Sequence, residues 1–303
     1  MPHGALLIPP ATLLAGLLTL TPLLVTAFFP GACARLAVRT ERLPFRTRIL
    51  PPALLAIPYL LVTHSLGGLR WEWLCLYALL PVAVAALLLD ARRVDPEQRG
   101  TWRDFLVLAT LGLAVDLRWF EPAWPPHMAV FSKILLLDTG LYGFLFLRQL
   151  DGVGFDLRLR TRDLRVGLRE FALYTPIAIV LGLSLGFLHL HASPKLWPHP
   201  LQLAGMFVFT FLFVAVPEEL FFRGWLQNLL ERRLGRTPAL LVTATLFGIS
   251  HFNKRALHFN WRYVLLAALA GVFYGRAWRQ ERRVGASAFT HALVDTVWSA
   301  WLR

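Results

Sequence analysis

The chain has 303 residues, a formal net charge of +13, 56% hydrophobic residues and only 16% charged ones, with a mean hydropathy of +0.55. Soluble domains carry about a quarter charged residues, so this balance excludes an ordinary soluble enzyme and points to the bilayer. The basic residues punctuate apolar runs instead of gathering in one domain, which excludes nucleic-acid binding as their purpose.

Taken in chain order, ten apolar segments fall near residues 5–29, 49–66, 73–89, 105–117, 129–147, 171–190, 201–230, 238–252, 262–278 and 286–302. A helix of about 20 residues spans a hydrocarbon core and satisfies every backbone group internally. The pattern therefore predicts an all-α, polytopic transmembrane bundle of about eight to ten spans. The fourth segment, Phe105–Leu117, is short and carries Asp116, so it reads as a span or as a re-entrant or interfacial piece. The first lacks the basic n-region of a signal peptide, and Ala5–Phe29 reads as a retained span. Cys33 and Cys75 have neither metal-site nor disulfide spacing.

Loop charges orient the bundle. Odd loops are Arg-rich, as in Arg35 to Arg48, Arg92 to Arg103, Arg148 to Arg169, Arg232 to Arg236 and Arg276 to Arg283. Even loops hold only Arg70, Arg118, Lys195, and the group Lys254, Arg255 and Arg262. The positive-inside rule then puts the odd loops in the cytoplasm and both termini outside. Trp119–Pro126 and Trp197–Pro200 fit an outer interfacial belt. In the fifth loop Leu157-Arg158-Leu159-Arg160 alternates, predicting a short strand or an amphipathic surface helix docked on anionic headgroups. This loop divides the chain into an N-terminal transmembrane region (1–150), a basic cytoplasmic connector (151–170) and a C-terminal catalytic core (171–303). Scarce Lys and Asn amid abundant Arg suggest a GC-rich prokaryotic genome, and hence a multi-pass protein of the cytoplasmic membrane.

Ionisable side chains within spans cost a few kcal/mol each, so each needs a reason. Lys133 and Asp138, five apart on one helix, read as a loose pair or as bridges to neighbours. His189, His191 and His199 cluster near an outer loop, but Pro194 and Pro198 interrupt them and they read as surface histidines. The C-terminal half differs in kind. Within the seventh span, Glu218 and Glu219 point about 100° apart on a helix. Glu219 shares a face with Arg223 at i,i+4, a structural pair that leaves Glu218 as the free carboxylate and candidate general base. Phe247 and His251 are again four apart in the next span, as are His291 and Asp295 in the last. Counted from the nearest cytoplasmic arginine, Glu218, His251 and Asp295 lie roughly 18–23 Å deep, with His291 one turn shallower. Three helices thus bring polar groups to a similar level, the pattern of one functional site.

Glu218-Glu219…Arg223, Phe247…His251 and His291…Asp295 resemble the ordered signature of the CAAX-protease and bacteriocin-processing family of intramembrane endopeptidases. The resemblance runs from about Leu201 to Trp301; the first five spans resemble nothing named. It implies a glutamate-dependent peptidase in which Glu218, helped by His251, activates water, while His291 and Asp295 stabilise the oxyanion. Glu219, Arg223 and Phe247 would orient the site. An ionised Asp295 offers only acceptors, so it must be protonated, orient His291 or help hold a metal.

Glu218, His251, His291 and Asp295 could make a zinc site, but there is no His-Glu-x-x-His, and a metal-free mechanism is favoured, with no cofactor. The partners implied are the lipid bilayer and a membrane-associated protein or peptide substrate. Two other readings use the same residues: a proton-coupled transporter, and a catalytically silent scaffold or immunity protein. No inverted repeat supports the transporter, and a silent relative is expected to lose Glu218 or a histidine, all of which stand here.

Overall fold

A computed structural model describes residues 9–189, 199–254 and 258–302, and among them every regular element is helical. The expected residues His191, Pro194, Lys195, Trp197, Pro198 and Arg255 lie outside the described residues. The chain divides into two compact units, one ending at Leu150 and one beginning at Asp151. Among the described residues, six helices are long and apolar enough to cross a membrane: Pro10–Phe28, Phe45–Ser65, Trp71–Val94, Val130–Leu147, Thr161–Ser184 and Pro200–Leu234. By length and composition this is a multi-pass membrane protein.

The first unit contains α1 (Pro10–Phe28), α2 (Pro30–Thr40), α3 (Phe45–Ile49), α4 (Ala56–Ser65), α5 (Trp71–Val94), α6 (Trp102–Asp116) and α7 (Val130–Leu141). A 3-10 turn, Pro51–Leu55, leads into α4, and α7 continues as a π-helix over Tyr142–Leu147. At 15 residues α6 is only about 22 Å long, short of the hydrocarbon thickness of about 30 Å. Thr101 and Asp104 close its first turn as a capping box. The same Asp104 accepts from Arg148 Nε at 2.8 Å, while Arg148 Nη2 donates to Asp95 at 2.6 Å. Arg148 is fully buried, so this three-residue cluster compensates a charge that would otherwise be very costly. Of the two expected arrangements, Lys133 takes the bridge to a neighbour, pairing with Glu121 at 3.4 Å and not with Asp138. The helix carries Lys133 to the loop side and turns Asp138 inward, where it is buried. Trp124, expected in an interfacial belt, is buried instead and donates its indole N–H to Tyr77 at 2.6 Å.

The second unit opens on the loop expected to be a strand or a surface helix, and it is neither. From Asp151 to Arg160 the backbone is irregular, with Val153, Phe155 and Leu157 buried. Asp156 and Asp163 hold the Arg283 guanidinium, at 3.0 Å each. Gly154 has a φ of +70°, and a Cβ there would stand 1.8 Å from the Arg282 carbonyl oxygen, so only glycine fits. The alternating leucines and arginines thus serve an anchored strap, because burying Leu157 and pairing Asp156 compete with any regular surface element.

Then follow α8 (Thr161–Ser184), α9 (Pro200–Thr210), α10 (Val216–Glu219), α11 (Asn228–Leu234), α12 (Arg236–Ile249), α13 (Trp261–Glu281) and α14 (Val284–Trp301). The sixth apolar segment starts ten residues earlier than expected, at Thr161, because Asp163 accepts from the Arg160 amide at 2.8 Å and caps the turn. Between α9 and α11 the helix runs through two π stretches, Phe211–Ala215 and Leu220–Gln227, with α10 a single turn between them. α12 and α13 approach closely over small residues. A Cβ on Gly248 would lie 2.5 Å from the Val264 carbonyl oxygen. α8 and α13 both pack on α14.

Candidate active site

The one-turn α10 presents Glu218 and Glu219, flanked on both sides by π-helix. Such insertions widen the turn and are frequent at functional sites. Glu219 is fully buried and has an ionic partner on each side: its Oε1 is 2.9 Å from His291 Nδ1 on α14, and its Oε2 is 3.1 Å from Arg223 Nε. Arg223, also fully buried, lies with its guanidinium 4.8 Å from the Phe247 ring centre and 5.8 Å from that of Tyr274. A cation held against aromatic faces and one carboxylate is a sound way to keep guanidinium inside a membrane protein. Glu219 therefore does more than the sequence-based reading allowed. It neutralises Arg223 and also orients His291.

His291 sits in a frame of rings and carboxylates. Tyr274 stacks on it with ring centres 4.6 Å apart, and Phe247 meets it edge-on at 5.7 Å. Its Nε2 faces Asp295 Oδ2 at 3.5 Å and Glu218 Oε2 at 4.0 Å. A carboxylate thus faces each ring nitrogen, with the hydrogen bond at Nδ1 to Glu219 and the longer, looser contacts at Nε2. Both glutamates of the adjacent pair thus reach the same histidine. Their angular separation, expected to divide them, is overcome because His291 lies between them.

His251 departs from its expected place. α12 ends at Ile249, and His251 lies in the turn that follows it, still buried. Its Nδ1 is 2.8 Å from the Phe247 carbonyl oxygen, which requires the proton on Nδ1. Nε2 then carries the lone pair, 3.4 Å from Lys254 Nζ. Lys254 Nζ also lies 3.5 Å from Glu218 Oε1. Glu218 is consequently not the free carboxylate expected from spacing. Sequence reasoning counted Lys254 only as loop charge. Its position three residues after His251, in a chain with three lysines, was the available signal.

Glu218 and Asp295 keep 27% and 29% of their side-chain surface accessible, whereas His291 and Glu219 are enclosed. A cavity of about 70 Å³ is lined by His251, His291, Asp295, Tyr263, Tyr274 and Trp298, among others. Lys254's ammonium lies between Glu218 and His251, and a carboxylate faces each ring nitrogen of His291. Among the described residues no three His, Cys, Asp or Glu groups are arranged to hold a metal ion. Of the other histidines, His199 caps α9 by accepting from the Leu201 amide at 3.3 Å, and His189 is exposed.

No curated protein and no solved structure matches the chain. Residues 200–297 match a family model, that of the type II CAAX prenyl endopeptidase Rce1-like proteins. This segment contains Glu218, Glu219, Arg223, Phe247, His251, His291 and Asp295. That segment, about a third of the chain, is thus similar to the Rce1-like type II CAAX prenyl endopeptidases.

Proposed function

We propose that the protein is an intramembrane endopeptidase that hydrolyses a peptide bond of a membrane-associated protein or peptide by a metal-free, glutamate-dependent route. The observation that carries this reading is the convergence on His291 of Glu218, Glu219 and Asp295, with Lys254 linking Glu218 to His251. Water bound at Glu218 loses a proton to the carboxylate as its oxygen attacks the scissile carbonyl carbon. The carbonyl oxygen becomes an oxyanion, and the His291 Nε2–H, held in plane by Glu219 behind it and Asp295 beside it, stabilises that charge. Collapse of the tetrahedral centre breaks the C–N bond, and the proton on Glu218 passes to the departing amine. His251 Nε2 accepts a hydrogen bond from the attacking water or from Lys254, and so positions one against the other. Asp295 on this reading is an orienting acceptor for His291, which removes the need for it to be protonated or to bind metal.

The test is hydrolysis of a fluorogenic farnesylated CAAX peptide in liposomes by the purified protein. Glu218→Ala and His291→Ala are each expected to lower turnover by about 10²-fold or more, with chelator leaving wild-type activity intact. Activity that survives both substitutions overturns the mechanism. Activity abolished by chelator and restored by zinc overturns its metal-free form. A folded wild type with no hydrolysis of any membrane peptide favours the scaffold reading instead.

A further inference from the structure

The first unit holds a buried carboxylate that its own fold leaves unanswered. Asp138 is 2% exposed, and neither of its carboxylate oxygens has a hydrogen-bond partner among the described residues. The basic residues that flank it in sequence are committed elsewhere: Lys133 to Glu121, and Arg148 to Asp95 and Asp104. An ionisable group inside a membrane span with no partner is a functional-site hypothesis by default.

Asp138 lines a cavity of about 320 Å³ enclosed by α1, the 3-10 turn with the start of α4, and the α7 span. The wall is otherwise almost wholly apolar, and two features point to the ligand it takes. Tyr142 and Phe146, one and two turns along from Asp138, both line it and stack with ring centres 5.8 Å apart. Aromatic faces beside a carboxylate are the usual environment for an ammonium. Pro22 of α1 also lines the cavity, and having no N–H it gives no helical hydrogen bond to the carbonyl of Leu18, which lines the same wall. An ammonium has three donors and no acceptor, so a carboxylate on a wall with a carbonyl that lacks its usual i+4 donor suits it better than an alcohol or an acid.

We propose that this cavity is a binding site for a cationic amphiphile: a molecule with a protonated amine head, held by Asp138, and an apolar body lying among the leucine and proline side chains. The site belongs to the first unit alone and does not depend on the peptidase reading.

The test uses the full chain in a neutral detergent and measures binding of dodecylammonium, dodecanol and dodecanoate by calorimetry. Dodecylammonium is expected to bind saturably at one site, about tenfold or more tighter than dodecanol, and dodecanoate not at all. Asp138→Asn removes the charge without changing shape, and is expected to abolish the preference for the amine. Phe146→Leu leaves the carboxylate in place and should weaken the amine by a few fold, which keeps the proposal falsifiable should Asp138→Asn fold poorly. Equal binding of amine and alcohol, or an amine preference untouched by both variants, overturns it.

Discussion

Two clusters of charge, one around Arg148 in the first unit and one around His291 in the second, are built in opposite ways. In the first, Arg148 is enclosed with Asp95 and Asp104 in a closed set at 2.6–2.8 Å, every member pointing at another member. In the second, three carboxylates, His251, Lys254 and Arg223 form one cluster with His291, and two of the carboxylates stay partly accessible. Glu219 holds His291 and Arg223 at 2.9 and 3.1 Å, but the contacts on the accessible side are longer, at 3.5–4.0 Å for Lys254–Glu218, His291–Asp295 and His291–Glu218. A closed cluster with short contacts holds helices together, while an open one with surplus carboxylates and long contacts leaves room for a water and a carbonyl. The same residue types serve both purposes, so partner count and access, more than burial, separate structure from chemistry.

That contrast can be broken from either side. The largest effect is expected from Glu218→Gln, which keeps shape but cannot take a proton. Turnover should fall by about 10²–10⁴-fold, with thermal unfolding nearly unchanged. A large stability loss with preserved turnover per folded molecule would make Glu218 structural and erase the distinction. Arg148→Met should do the reverse. It leaves Asp95 and Asp104 buried without their cation and is expected to cost about 3–5 kcal/mol, read by thermal or denaturant unfolding.

Lys254→Met sharpens the comparison at a residue that spacing arguments passed over. Removing the ammonium between Glu218 and His251 is expected to lower kcat by about tenfold, roughly 1.4 kcal/mol of barrier. It should also alter the pH profile, with little change in unfolding temperature. A stability loss without any change in the profile would assign Lys254 to the loop alone.

The smallest effect concerns the strap that opens the second unit. Burial alone would raise the pKa of Asp156, but hydrogen bonds from Arg158 and Arg283 outweigh it and hold the carboxyl below the usual carboxylate range. A depressed folded-state pKa contributes stability above the unfolded pKa of about 4 and loses it as pH falls toward the folded value. Wild type should therefore lose about 1–2 kcal/mol more than Asp156→Asn as pH drops from neutral to below about 4. Equal pH slopes for the two proteins would show that the strap carries no charge-dependent stability.

Much of the fold's character was legible in the residues. Apolar runs and scarce charge predict an all-helical membrane protein, because lipid permits few other backbones. The three four-spaced pairs singled out Glu218, His251, His291 and Asp295, because an ionisable group inside a membrane span needs a reason. Less legible were the features that depend on neighbours distant in sequence. Leu157-Arg158-Leu159-Arg160 has the period of a strand, yet Arg283, more than a hundred residues away, pulls Asp156 and Asp163 into an irregular strap.

What the sequence determined by itself was composition-driven: helices, their approximate places, and which spans carry groups that lipid would reject. Tertiary structure decided how those groups are shared. Glu219 pairs with both Arg223 and His291, and Glu218 is held by Lys254 instead of standing free. Helical periodicity describes only the neighbours along one helix, at i+3 and i+4. The π stretches on either side of α10 depart from that period, and α14 and the turn after α12 bring His291 and Lys254 to the two carboxylates from outside it.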